Sequence, residues 1–294
     1  MRMTNTIARS FAVSALLAAC GTAAAQTPVV NPMPDGSRDM YVGLGLQSAN
    51  RYEGGSRRHA MLMPVLQAEW SNGVFVSGAT AGMHWSGRAG LEFGPLLSLH
   101  PGRSERGRAL TGGGLSGTGS NTALPHIGMD GGTPLTRMTG MPDVPRRLEA
   151  GAFLTWYLTP EWRLANNVLY GAGQQRDGLR AMLDLQRIAT QVAPHHTLSF
   201  TAGLALADAR YNRAMFGVGR DQEMFTQTVT RRAYAPGGGI KDVHAGVRWN
   251  WALAPSWMLT SGTHVARLAG DAKASPLVER SVNATVWSAL AYRF

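Results

Sequence analysis

The chain has 294 residues, of which 44% are hydrophobic and 16% charged, with 36 glycines, one cysteine and a formal net charge of +10. So much apolar content excludes a disordered chain, and a lone Cys20 excludes an internal disulfide framework. Beyond residue 25 no run approaches the roughly 20 apolar residues that a transmembrane helix needs.

Residues 1–25 read as an export signal. Arg2 and Arg9 form a basic start, residues 11–19 a short apolar core, and Ala23 and Ala25 an A-x-A cleavage site. Leu17-Ala18-Ala19-Cys20 also has the form of a lipobox, which keeps lipidation of Cys20 open as the alternative. Residues 26–39 are Pro-containing and are expected to be an extended periplasmic segment, leaving 40–294 as one domain.

From there the dominant signal is alternation with a period of two. Candidate strands follow at 40–48, 60–70, 74–82 and 90–100, with Asn72-Gly73 as a tight hairpin signal. Residues 103–147 break the pattern: Gly, Thr, Pro and Arg dominate, and the segment reads as a long loop, mobile outside the barrel or folded into its lumen. Alternation resumes at 148–158, where Leu148, Ala150, Ala152, Leu154, Trp156 and Leu158 share one face. Further strands are expected at 162–171, 179–185, 197–206, 242–251 and 257–268, while 225–234 is either a strand or part of a loop. In 242–251, Val243, Ala245, Val247, Trp249 and Trp251 oppose Asp242, His244, Gly246, Arg248 and Asn250.

The final strand sets Val282, Ala284, Val286, Ser288, Leu290 and Tyr292 against Asn283, Thr285, Trp287, Ala289, Ala291 and Arg293. Ending on Phe294 after an export signal, it has the character of the closing strand of an outer-membrane barrel, with Phe294 as an assembly signal. Strands of about ten residues suit a tilted crossing of a bilayer. The expectation is an all-β, antiparallel transmembrane barrel of about twelve strands, with ten as the alternative, because single-chain bacterial barrels have even numbers. Two short connections, 157–162 and 251–257, each carry a proline flanked by tryptophans, and read as periplasmic turns with Trp162 and Trp257 at the membrane interface.

Chemistry is sparse. No HExxH, CxxC or G-x-S-x-G motif occurs, and His195-His196 point to opposite faces of any strand. Ser261 and His264 are three apart, on opposite faces, which fails the geometry of nucleophile activation. No enzyme, cofactor or metal is therefore expected. No helix-turn-helix, RNP or zinc-finger pattern accompanies the basic charge, so nucleic acid is not an expected partner. Outer-membrane lipid and lipopolysaccharide phosphates are, although most of the charge reads as solvated loop and lumen surface.

Three blocks resemble the MipA/OmpV family of outer-membrane proteins. The first is YVGLGLQSANRYEGGSRRHAMLMPVLQAEW, through Tyr52, Glu53, Gly54 and Pro64. The second is LADARYNRAMFGV, through Asp208, Tyr211, Phe216, Gly217 and Val218. The third is RLAGDAKASPLVER, through Gly270, Asp271, Ala272, Ser275, Pro276 and Val278, and the terminal AYRF also matches. The resemblance covers most of 40–100 and 148–294; the 103–147 segment departs from it. It implies an outer-membrane scaffold linking a murein-degrading lytic transglycosylase to a murein-synthesising penicillin-binding protein, folded by the barrel-assembly machinery. Relatives described as porin-like proteins or adhesins keep a narrow channel for small anionic solutes, or adhesion, as alternatives. The acidic loop residues Glu53, Asp208 and Asp271 are expected to pair with arginines such as Arg51, Arg210 or Arg267, and to fix loop conformation rather than contact a partner.

Overall fold

The computed structural model of the chain describes residues 38–85, 90–104, 110–112, 122–124, 136–171, 178–226 and 229–294. The expected signal 1–25, residues 26–37 and much of the 103–147 segment lie outside these.

Twelve strands close one antiparallel barrel. In chain order they are β1 (Arg38–Asn50), β2 (Arg58–Trp70), β3 (Val74–Ser77), β4 (Thr80–Met83), β5 (Leu91–His100) and β6 (Arg147–Tyr157). They continue with β7 (Trp162–Gly171), β8 (Gly178–Ala193), β9 (His196–Ala207), β10 (Gly239–Ala254), β11 (Trp257–Leu268) and β12 (Val282–Arg293). Closure is made by β1 against β12, in a register running from Tyr41 opposite Arg293 to Ser48 opposite Val286.

The alternation sorts residues as the sequence implies. Outside lie Val42, Leu44, Leu46, Leu148, Leu154, Val243, Val265, Val282, Val286 and Leu290, all exposed, with Leu44 at 64%. Keeping such a side chain in water forgoes roughly 1.5–3 kcal/mol of burial, so a continuous belt of them is a lipid-facing surface. Inside lie Tyr41, Gln47, Glu149, Phe153, Asp242 and His244, all buried.

Twelve strands arise by a different route from the one the sequence suggests. Residues 74–82 do not form one strand: the chain turns at Gly78, which takes φ +61°, making the short β3–β4 hairpin. Alternating VFVSGATAG carries no Pro or Asn-Gly to mark that turn. Residues 225–234 are not a wall strand; Met224–Phe225 pairs with Thr230–Arg231 inside a loop. Because β3 and β4 are short, the upper wall between β2 and β5 has another lining. The paired segments Leu110–Gly112 and Thr122–Leu124 of the long loop run alongside β2 and β5 respectively.

The two barrel ends differ. At the turn end lie Arg38, Phe294 and the short connections at 71–73, 158–161, 194–195 and 255–256. Gly73 takes φ +84° there, in agreement with the Asn72-Gly73 signal. The loop end carries 51–57, 101–146, 208–238 and 269–281. Among the described residues these loops hold two short α-helices, α1 (Ala209–Phe216) and α2 (Gly270–Ala274), and a 3-10 turn at Arg220–Gln222. No helix of the described residues is long and apolar enough to cross a membrane.

Candidate functional site: the capped mouth and the charged lumen

All three family-like blocks meet at the loop end. The chain leaves β9 at Asp208, whose carboxylate accepts the Tyr211 amide hydrogen bond at 2.7 Å and caps α1. Helical spacing then turns Tyr211, Met215 and Phe216 to one side, where they pack with Ala207, Leu268 and Ala272. Ser275 follows α2 and donates its hydroxyl to the Phe216 carbonyl at 2.6 Å, so the second block is tied to the third.

The first block joins through Tyr52, whose hydroxyl donates to Glu279 at 3.0 Å. Its ring packs with Met138, Met141, Val218 and Leu277. Gly54 takes φ +92°, and its carbonyl accepts from the amides of Glu279 at 2.7 Å and Arg280 at 2.9 Å. A Cβ there would press on Val278 at 2.8 Å. Pro276 offers its carbonyl to Arg137 at 3.3 Å. The long loop is thus partly anchored, through Arg137, Met138 and Met141. Arg231, buried nearby, ties it further by donating to the carbonyls of Arg137 and Thr139, both at 2.9 Å.

Glu279 is the polar centre of this cap. Burial opposes its ionisation, but the Ser56 hydroxyl and amide, the Arg137 amide and the Tyr52 hydroxyl outweigh that and hold it below the usual carboxylate range. Burial, and then the facing Glu279, push the Tyr52 phenol well above its ordinary value.

Beneath the cap, charged side chains are paired along the lumen wall. Glu53 reaches inward to Lys241; Lys241 also contacts Asp242 at 2.6 Å. His244 bridges Asp242 at 2.9 Å and Asp184 at 2.7 Å. A second ladder has Glu149, wholly buried, between Arg147 at 2.9 Å and Arg180 at 2.7 Å. Tyr211 seats α1 on that ladder: its hydroxyl lies 3.0 Å from His100, and the Arg147 guanidinium stands over its ring at 5.3 Å. Below these ladders a cavity of about 170 Å³ is lined by Arg163, Arg248, Asn167, Gln186, Ser199 and Thr201 among others.

The acidic loop residues, expected to meet arginines, have these partners. Asp208 is satisfied by the amide at the start of α1, and Asp271 by the Gly237 amide at 2.7 Å. Glu53 takes a lysine, Lys241. Lys241 was hidden by a bulge. Between Ala205 and Leu206 the β9–β10 register shifts, so Lys241 is inserted and both it and Asp242 turn inward, which period-two reading forbids.

At the turn end, Trp162 and Trp257 are both partly exposed. Arg187 lies over the Trp162 ring at 5.7 Å, and Trp257 meets Tyr292 edge-on at 5.1 Å. Phe294 donates its amide to the Met40 carbonyl at 3.0 Å and rests its ring on Tyr292. Ser261 bonds Ser288 at 2.8 Å, whereas His264 lies against His244, so the pair stays on opposite faces. Among the described residues no group of three or more His, Cys, Asp or Glu is placed to hold a metal ion.

A closed, lipid-belted barrel with its mouth capped by its own loops defines the class: a transmembrane β-barrel protein of the outer-membrane type. The family model described as MltA-interacting protein MipA matches residues 42–294, and the chain belongs to that family. No curated protein matches the sequence. Among solved structures, a bacterial polysaccharide outer membrane secretin is similar at 10% identity and TM-score 0.44, covering 89% of this chain and 100% of its own. An outer membrane channel from Pseudomonas putida F1 is similar at 13% identity and TM-score 0.40, covering 91% and 99%. The NanC porin is similar at 7% identity and TM-score 0.39, covering 88% and 100%. No functional statement follows from likenesses of that size.

Proposed function

We propose that this protein is a non-enzymatic scaffold of the outer membrane that holds murein-remodelling enzymes at its periplasmic face. In this reading the loop end faces outward and the turn end faces the periplasm, as short periplasmic turns and longer external loops require. The observation that carries it is the lumen: the Glu53–Lys241–Asp242–His244–Asp184 and Arg147–Glu149–Arg180 ladders fix charge along its wall under a packed cap. A barrel closed over in this way by its own loops is suited to work at its faces rather than through its bore. The family description, MltA-interacting, supports a lytic transglycosylase as one partner. A penicillin-binding protein is the second partner that the family resemblance implies. Phe294 at the end of β12 serves recognition by the barrel-assembly machinery, and the basic loops meet lipopolysaccharide phosphates.

The test is in-cell crosslinking of the tagged protein, with an unrelated outer-membrane barrel of similar abundance as control. Selective recovery of lytic transglycosylases or penicillin-binding proteins supports the scaffold; recovery of only what the control also recovers overturns it.

A second reading, a narrow channel, is favoured by the polar lower lumen with Arg163 and Arg248, which suits small anions. Planar-bilayer conductance decides it: anion-selective steps from the wild type would displace the scaffold reading. Deleting residues 104–135 would abolish binding to host cells only if that loop makes the protein an adhesin.

A further inference from the structure

Beside α1 the cap holds a second cavity, of about 690 Å³, within the size range of small-molecule sites. Its helical wall is one face of α1 and its exit: Arg210, Arg213, Ala214 and Gly217. The opposite wall is Pro142, Asp143, Val144 and Pro145, with Tyr234 nearby and Arg103 at the base.

The charge of this cleft is lopsided. Among the described residues three guanidiniums line it against one carboxylate, Asp143. Arg103 is only 6% exposed, and its terminal nitrogens are spent on neutral carbonyls, Met215 at 2.8 Å and Pro142 at 3.4 Å. Its buried Nε has no hydrogen-bond partner. Burial lowers the guanidinium to about 10, and Asp143 only partly offsets this, with Arg231 adding to the depression. Arg210 and Arg213, both exposed, are three residues apart on one helix face and line the cleft. A bound anion would offset the cost of the buried Arg103 charge. Arginine forks match the geometry of phosphate oxygens, and the Pro, Val and Tyr walls suit a compact carrier such as a sugar ring.

We propose that this cleft binds a phosphate group carried on a compact, partly apolar molecule, either a soluble sugar phosphate or the phosphorylated headgroup of a lipid. Nothing in the scaffold reading requires it.

The experiment uses the full folded chain in a zwitterionic detergent, titrated with inorganic phosphate and with glucosamine 1-phosphate, read by ³¹P line broadening. Saturable broadening is expected. The double variant Arg210→Gln/Arg213→Gln should weaken it about tenfold or more, whereas Arg213→Lys should weaken it less, because a point charge survives but the fork does not. Both positions are exposed, and heat-modifiable gel mobility checks that the barrel stays folded. Repeating the titration in nanodiscs with and without lipid A separates the sources: competition assigns the phosphate to the lipid, and its absence assigns it to a soluble molecule. Absence of saturable binding by the wild type on the order of tens of millimolar, or equal binding by the double variant, would overturn the proposal.

Discussion

Replacing Glu149 by Gln tests whether the lumen ladders hold the barrel together. Glu149 is wholly buried and receives Arg147 through Nε at 3.0 Å and Nη2 at 2.9 Å, and Arg180 through Nε at 2.7 Å. The variant keeps the shape but leaves two guanidiniums facing each other with no carboxylate between them. Removing one partner of a buried ion pair costs about 3–5 kcal/mol. With a urea slope near 3 kcal/mol per molar, the unfolding midpoint should fall by roughly 1–1.7 M. The assay is the heat-modifiable gel shift of the protein refolded in detergent and equilibrated across a urea series. The double variant Glu149→Gln/Arg180→Met should recover part of the loss, because it also removes one unpaired cation. A Glu149→Gln midpoint equal to that of the wild type would refute the reasoning, and would mean that water or other groups already neutralise the ladder.

Four other outcomes are expected. Asp208→Ala removes the cap of α1 and should cost about 0.5–2 kcal/mol, read as faster hydrogen exchange across Ala209–Phe216 with the barrel strands unchanged. Gly54→Ala combines a Cβ at φ +92° with a contact on Val278, and should loosen the Tyr52–Glu279 junction; limited proteolysis after Arg137 reads it, and unchanged cleavage would show that the junction absorbs the methyl. Glu279 has a depressed folded value, so its contribution to the cap is complete above the ordinary carboxylate range and declines as pH falls through the lowered value. Protection of the Ser56 amide, measured against the intrinsic exchange rate at each pH, should therefore fall in acid for the wild type, and show no such pH step in Glu279→Gln. Trp162→Ala and Trp257→Ala, at the proposed interface, should slow insertion into liposomes while leaving crosslinked partners unchanged; normal insertion would place the interface elsewhere.

Much of the wall was legible because a lipid-facing strand has only one thing to do on each face. Val282, Val286 and Leu290 are apolar outside, and Asn283 and Arg293 polar inside, whatever their neighbours. The β3–β4 hairpin was not legible, because Gly78 turns a chain whose alternation continues on both sides of it. Nor was the ladder under the mouth. Glu149 stands out only as an acid between apolar neighbours, its partners Arg147 and Arg180 lie on two strands, and Lys241 enters through a bulge. In the cap, Tyr52, Asp208 and Ser275 carried a family signal but no geometry. Their contacts, with Glu279, an α1 amide and the Phe216 carbonyl, depend on long-range closure that no local pattern encodes.

That closure bears on where function resides. The residues that carry the family resemblance bind one another: Tyr52 to the Leu277–Glu279 strand of chain, Ser275 to the end of α1, Gly54 to Glu279 and Arg280. Each spends its polar atoms within the cap, which leaves them little with which to recognise a partner. They also sit at the opposite end of the barrel from the short turns. If murein enzymes dock at the turn end, as proposed, substitutions in the cap should alter stability and loop exchange yet leave partner recovery intact. Substitutions in the turns at 158–161 and 255–256 should do the reverse. A cap variant that stays folded but loses its partners would place docking at the mouth, and with it would reverse the orientation assigned to the barrel.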